Sequence, residues 1–220
     1  MSTATTGTAA LTRADLTNFL MAHAGMRVEY GRLATACTAV RDAAHAELIE
    51  SQIALVLDVL HHHHTVEDEL VWPRLVERAP EEAPKLHDLE SQHEHIDPLI
   101  RAAGDVTVPL AERAPVLRAL HEALNAHLDQ EERDAVPLIL TCLTRGDWHE
   151  VEERASAGVG RKRMPLVYGW LVSAAPDELR EKATEDVPTV VEWLFRLFWW
   201  PSYRRRFERL YGGSASLPTI

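Results

Sequence analysis

The sequence HHHHTVEDELVWP, from His61 to Pro73, decides how the rest of the chain is interpreted. Four consecutive histidines are followed, after Thr65 and Val66, by three acidic residues and then by apolar ones. A related order, HLDQEERDAVP, runs from His127 to Pro137. Both stretches contain the pattern H-x3-E-[DE]-x4-P, which begins at His63 in the first and at His127 in the second. A histidine and a glutamate four residues apart lie on the same face of a helix. Each stretch therefore places an imidazole and a carboxylate on one face of its helix.

Apolar residues recur three and four residues apart through most of the chain, and no segment alternates in the way of a β-strand. The sequence therefore predicts an all-α fold, an antiparallel four-helix bundle with a helical C-terminal extension. The bundle is assigned to residues 12–145, and the extension, which has an aromatic and basic final helix, to residues 146–220. The four predicted bundle helices cover residues 12–44, 45–79, 84–103 and 112–143.

Each predicted helix has one histidine in the row of residues that faces the core. On the second and fourth helices a glutamate follows the histidine by one turn. Because all four rows face the same core, we expect these side chains to converge on one site. A proline six residues after each glutamate also predicts that Pro73 and Pro137 bend their helices just beyond the site. The candidate site residues are His23, His63, Glu67, His93, His127 and Glu131.

The two glutamates point to bound metal. Burying a carboxylate without a cation costs several kcal/mol, on the order of 3–5, and two facing carboxylates cost more. No lysine or arginine occupies the core-facing rows to neutralise Glu67 and Glu131. Metal cations supply the missing positive charge and accept both imidazole nitrogen and carboxylate oxygen. The pattern therefore predicts a metal site inside the bundle.

The order His…HHxxED…WP…QH…HxxxEE…P resembles that of the hemerythrin-like (HHE cation-binding) domains, and the resemblance covers residues 12–145. It implies a non-haem centre of two iron ions bridged by carboxylates, with manganese as the less favoured metal. Carried over position by position, it gives each of the six candidates the role of a metal ligand. Glu67 and Glu131 would be the residues that bridge the two ions.

The chain departs from the pattern of the oxygen-carrying hemerythrins. Those proteins use five histidines, with HxxxH on the third helix, whereas here His93 has Leu89 one turn before it and Asp97 one turn after it. His64, Asp97 or water could complete the site. Fewer imidazoles and more oxygen ligands favour oxidised iron, so we expect simple reversible oxygen carriage to be disfavoured.

The resemblance implies a protein that binds or reacts with O2, peroxide or nitric oxide, in sensing or in detoxification. The alternative is an iron-binding regulatory or storage module without turnover, which docks a partner or a membrane through its C-terminal helix. Catalytic residues and enzymatic turnover are left open by the sequence.

Composition excludes several other classes. A net charge of −11 argues against nucleic-acid binding, and neither Cys37 nor Cys142 lies in a CxxC motif. The N-terminus lacks the pattern of a signal peptide, which predicts a cytoplasmic protein. No apolar stretch reaches the ~20 residues that cross a bilayer. From Gly158 onward, ten basic residues stand against seven acidic ones, so contact with a membrane surface is left open. The aromatic residues from Trp193 to Trp200 are spaced broadly, which favours burial.

Overall fold

The structure is a computed structural model and describes residues 10–185, 189–213 and 217–218. Within these ranges nearly all residues are helical, and the only β-type pairing is an isolated bridge between Ala10 and Thr144. The predicted all-α class is therefore confirmed. The α-helices are α1 (Thr17–Thr38), α2 (Ala43–Val66), α3 (Trp72–Arg78), α4 (Ala83–Gly104), α5 (Leu110–Cys142), α6 (Arg145–Val159), α7 (Met164–Ala174), α8 (Asp177–Glu185), α9 (Thr189–Leu194) and α10 (Trp200–Tyr211).

The four long helices α1, α2, α4 and α5 surround a common core. Helix α5 packs on α1 and α4, and α2 packs on the same two helices. The predicted end of the first helix near residue 44 was too late, because α1 ends at Thr38. Asp42 then caps α2 by accepting a hydrogen bond from the backbone N–H of His45 at 2.8 Å. A capping aspartate of this kind marks a helix start, since it satisfies an N–H that has no partner inside the helix.

The second predicted helix is interrupted just beyond its histidines. A π-helical turn, Glu67–Val71, joins α2 to α3, and Pro73 lies in the first turn of α3. In a regular α-helix the ring of a proline collides with the backbone carbonyl one turn earlier. The wider π-turn before Pro73 leaves room for this ring. It also shifts the helical phase, so Val71 and Leu75 are buried whereas Leu70 is only partly buried. Helix α5 instead continues as an α-helix through Pro137, so only the first proline follows a change in helix geometry.

The C-terminal helices pack on the bundle. Helix α6 contacts α2, helices α7 and α8 contact α1, and α10 contacts α1, α2 and α7. Trp170 of α7 is fully buried. Its ring lies so close to α1 that a Cβ on Gly25 would be 3.1 Å from it. A Cβ on Gly169 would lie 2.7 Å from Cβ of Tyr203, so the close approach of α7 and α10 requires glycine at this position.

The outward face of the final helices differs from the prediction. Phe195 and Trp200 are buried, as expected. A stripe spaced three and four residues apart is instead exposed, so the expectation of burial all round was wrong for these side chains. The exposed stripe consists of Val190, Trp193, Leu194, Leu197 and Phe198. Among the described residues, no helix has the length and apolar character needed to cross a membrane.

A buried carboxylate connects α10 to the bundle. Glu29 of α1 is fully buried and accepts hydrogen bonds from the Gln52 side-chain amide and the Tyr211 hydroxyl, both at 2.7 Å. Arg206 of α10 in turn donates to Oε1 of Gln52 at 3.1 Å. Burial raises the pKa of Glu29, although Tyr211 and Arg32 oppose the shift. The native state therefore binds the Glu29 proton more tightly than the unfolded chain does.

This shift predicts a pH-dependent stability. The ordinary pKa of a glutamate is 4.5. As the pH rises above this value, the unfolded chain releases the Glu29 proton before the native protein does. The contribution of Glu29 to the free energy of unfolding is therefore present at low pH and is lost as the pH rises through its native pKa. We expect Glu29→Gln to remove this dependence, so the variant gains stability relative to wild type with rising pH. Urea unfolding of both metal-free proteins from pH 4.5 to 8 measures the difference, and a constant difference would contradict the prediction.

Candidate metal centre

Two groups of side chains that are suited to metal binding lie side by side in the bundle. The first contains His64, His93 and His127, and the second contains His23, His63, Glu67 and Glu131. Within each group, one potential ligand atom from every residue lies within 4.8 Å of the others. The π-turn helps to form the second group because Glu67 is its first residue, one turn after His63. All four long helices therefore supply side chains to one region of the core.

The two carboxylates belong to the second group and also approach histidines of the first. Glu67 places Oε1 3.0 Å from Nε2 of His63 and Oε2 3.6 Å from Nε2 of His93. Oε2 of Glu131 lies 3.6 Å from Nε2 of His23 and 3.4 Å from Nε2 of His127. Each carboxylate thus approaches one histidine of each group.

The site is buried and leaves polar atoms without protein partners. His23 and Glu131 are fully buried, and Glu67 is 2% exposed. Both oxygens of each glutamate, both ring nitrogens of His64 and Nε2 of His23 and of His63 have no partner in hydrogen-bond geometry, even though Oε1 of Glu67 and Nε2 of His63 lie 3.0 Å apart. Buried polar atoms are rarely left unpaired because each costs about 1–3 kcal/mol. The donor set therefore fits bound cations.

Electrostatics support the same conclusion. Burial, and then the neighbouring Glu131, hold the pKa of Glu67 well above its usual range. Burial and the surrounding histidines lower the pKa of His63 to about 3 and hold that of His64 well below its usual value. Both imidazoles are therefore neutral at neutral pH, which is the form that binds a metal.

Three histidines are oriented by contacts on their far side. Nδ1 of His23 lies 3.0 Å from Oε1 of Glu132, and Nδ1 of His93 lies 2.7 Å from Oδ1 of Asp68. Nδ1 of His127 likewise lies 3.0 Å from the side-chain oxygen of Gln92. With Nδ1 as the donor in each case, the lone pair of Nε2 is directed into the site.

These contacts explain the acidic residue in the repeated pattern. Asp68 directly follows Glu67, and Glu132 directly follows Glu131. Asp68 contacts His93 on α4, and Glu132 contacts His23 on α1. Arg27 donates to Glu132 at 3.1 Å and fixes this carboxylate in turn. Each copy of the pattern therefore supplies two candidate ligands and also orients a histidine of another helix.

All six candidates from the sequence lie in the two groups, and the structure adds His64. This residue is 3% exposed, and its ring stacks on that of His93 with centroids 3.9 Å apart. Asp97, the other side chain considered for this role, pairs with Arg101 and lies outside both groups. The sequence placed His63 in the core-facing row and gave His64 only as one of three possibilities, with Asp97 and water, for completing the site. The consecutive histidines were the available signal.

The oriented histidines predict a measurable effect at Asp68. Asp68→Ala removes the acceptor of His93, and we expect metal affinity to fall about 10–100-fold. Asp97→Ala is the matched control, because Asp97 is an aspartate on the same helix as His93 but belongs to neither group. Competition with a chelator of known affinity measures both variants. An unchanged affinity in Asp68→Ala, or an equal loss in both, would count against the orienting role.

Comparison with known families agrees with this geometry. A family model described as the hemerythrin HHE cation binding domain matches residues 15–139, which include all seven clustered residues. Searches of curated proteins and of solved structures gave no match. The family match covers more than half of the chain, whose two groups of histidines and glutamates can hold cations. The chain belongs to the hemerythrin HHE cation-binding domain family.

Proposed function

We propose that this protein holds two iron ions and binds or reacts with O2, peroxide or nitric oxide, in sensing or detoxification. The observation that carries the proposal is the position of Glu67 and Glu131 between the two histidine groups. His64, His93 and His127 would hold one ion, and His23 and His63 the other, with the two glutamates shared. When bound, the iron supplies a centre that exchanges electrons with a small ligand.

The side chains of the protein would hold and shield that centre. Asp68, Gln92 and Glu132 keep three imidazoles in one orientation. The side chain of His63 is 12% exposed, whereas those of His23 and Glu131 are fully buried. We therefore place the approach of a small ligand on the side of His63.

The donor set favours iron. Five imidazoles suit iron better than manganese, which prefers oxygen ligands. Zinc prefers four ligands in a tetrahedron, whereas seven side chains, two of them carboxylates, are brought together here. A set of five histidines also bears on the expectation, made from the sequence, about reversible oxygen binding. The expectation that reversible oxygen binding is disfavoured assumed a missing histidine, and in this proposal His64 would supply a fifth.

Iron loading tests the proposal. After anaerobic loading with ferrous iron we expect about two iron ions per chain and near-ultraviolet charge-transfer absorption that changes with O2, peroxide or nitric oxide. His93→Ala should lose iron, whereas His95→Ala is the matched control because His95 is exposed on the same helix. Less than about one iron per chain together with no such absorption would refute the proposal.

A second candidate function is an iron-binding regulatory or storage module without turnover. The exposed apolar stripe on the final helices favours it, because Trp193 and Phe198 are 60% and 62% exposed. Exposed patches of this kind mark contact surfaces. Peroxide turnover by the iron-loaded protein favours the first function. Iron-dependent stabilisation without turnover favours the second, and flotation with vesicles tests whether the stripe docks on a membrane.

The arrangement of the four long helices and the bounds of the two regions are part of the same proposal. We assign α1, α2, α4 and α5 to an antiparallel four-helix bundle within residues 12–145, with residues 146–220 as its extension. The contacts among the four helices support this arrangement. A cytoplasmic location stays a prediction from the sequence.

A further inference from the structure

A cavity of about 1230 Å³ lies between the bundle and the C-terminal helices. Helices α1 and α2 line one side of it, and α6, α7 and α8 line the other. The second side is formed by residues after 139, where the family match ends. The cavity is therefore a feature of this chain's extension as well as of its metal-binding bundle.

The lining is mostly apolar. Bundle residues and extension residues contribute branched and aromatic side chains in similar measure. Several are only partly buried, because they border the cavity and do not pack fully against other side chains. Examples from the two sides are Phe19, Val59, Ala155, Val159 and Leu171. Apolar cavities with few polar groups are typical of binding sites for organic molecules.

The cavity reaches the metal centre. His63 and Glu67 are lining residues and also belong to the second group of candidate ligands. The ring of Phe19 lies 5.4 Å from that of His63 and 5.6 Å from that of Trp148, measured between centroids. One end of the cavity is thus bounded by the centre and by aromatic rings.

Away from His63 and Glu67, the charged groups along the lining have partners within the chain. Asp15 pairs with Arg145 at 3.5 Å, and Glu152 accepts a hydrogen bond from Asn18 at 3.2 Å. His149 pairs with Glu153 at 3.5 Å, and Lys182 also has an interaction within the chain. A charged ligand would have to displace one of these partners, so the lining favours a neutral one.

We propose that this cavity binds a neutral, largely apolar organic molecule, one end of which lies beside His63 and Glu67. The volume far exceeds that of a diatomic ligand and lies just above the range of typical organic-ligand pockets, which is about 300–1000 Å³. Binding in the cavity needs no metal. A role for the molecule at the centre rests on the proposed function, because it requires iron to be bound there.

The test uses the full metal-free chain and the neutral fluorophore N-phenyl-1-naphthylamine. We expect saturable binding with one site per chain. Ala155→Trp places a large side chain in the cavity and should weaken binding at least about tenfold, because the space is filled. Ala157→Trp is the matched control on the same helix, since Ala157 is exposed and does not line the cavity. Ala155→Leu, a smaller addition, replaces Ala155→Trp if unfolding curves show that the latter does not fold.

Competing ligands test the proposed ligand class. We expect 1-decanol to displace the fluorophore more strongly than decanoate, and stronger displacement by decanoate would overturn the neutral assignment. No saturable binding, or equal binding to both tryptophan variants, would overturn the cavity site. Iron content is measured on separate samples. A chain that binds the fluorophore but no iron would refute the proposed function alone, whereas iron uptake without fluorophore binding would refute this inference alone.

Discussion

Glu67→Leu is expected to abolish tight iron binding and, at the same time, to make the metal-free protein more stable. The two effects have one cause. Both oxygens of Glu67 are buried without a hydrogen-bond partner, and Glu131 is close enough to raise its pKa further. In the metal-free protein this carboxyl group therefore opposes folding, whereas two bound cations would make it favourable.

The magnitudes follow from general experience with buried polar groups. Replacing them with apolar side chains of similar size is often neutral or stabilising, here by about 1–3 kcal/mol. Loss of a shared ligand should lower iron affinity by more than about a hundredfold, since loss of an orienting contact alone costs about 10–100-fold. Urea unfolding of the metal-free proteins and chelator competition measure the two effects.

Glu90→Leu is the matched control for this substitution, because Glu90 is an exposed residue of α4. We expect its stability to change by no more than about 0.5 kcal/mol and its iron affinity to stay the same. A Glu67→Leu protein that still takes up iron tightly, or whose metal-free form is less stable than wild type, would show that Glu67 does not have the proposed role.

Trp170→Ala is expected to cause the largest loss of stability outside the metal centre. Trp170 is fully buried where α7 packs on α1, and its ring lies against Gly25. Truncating a buried tryptophan to alanine costs about 3–5 kcal/mol through lost burial and the cavity left behind. We expect the lower end of this range, because the indole N–H has no hydrogen-bond partner and its removal relieves an unpaired group. Urea unfolding of the metal-free protein followed by circular dichroism measures the loss.

The extension provides its own control. Trp193→Ala removes the same side chain from an exposed position, and we expect a change within about 0.5 kcal/mol. Similar losses in both variants would show that the contact between α7 and α1 does not stabilise the protein as the packing suggests. A loss of stability only in Trp170→Ala would show that the contact between the extension and the bundle stabilises the protein.

Much of the site could be predicted from the sequence because helix periodicity relates spacing to direction. His23, His63, His93 and His127 fall in the core-facing rows, and Glu67 and Glu131 follow one turn after a histidine. The structure brings all six together. The all-α class was equally predictable, since strand-like alternation is missing along the chain. These conclusions need only the period of the helix and the cost of burying unpaired carboxylates.

Other features depended on the turn geometry and on which helices meet. The π-turn at Glu67–Val71 changes the phase of the chain after Glu67, and no apolar period predicts that change. His64 is buried because α4 and α5 lie close enough for its ring to stack on His93.

By itself, the sequence determined the helical class, the family resemblance and six of the seven clustered side chains, because these follow from spacing along single helices. Only the tertiary structure decided the contacts of Asp68 and Glu132 with histidines of other helices. It alone also revealed the exposed stripe of the final helices and the cavity beneath α6 and α7. These features arise between helices that are distant in the sequence, and their packing is fixed by the complementary shapes of many side chains at once.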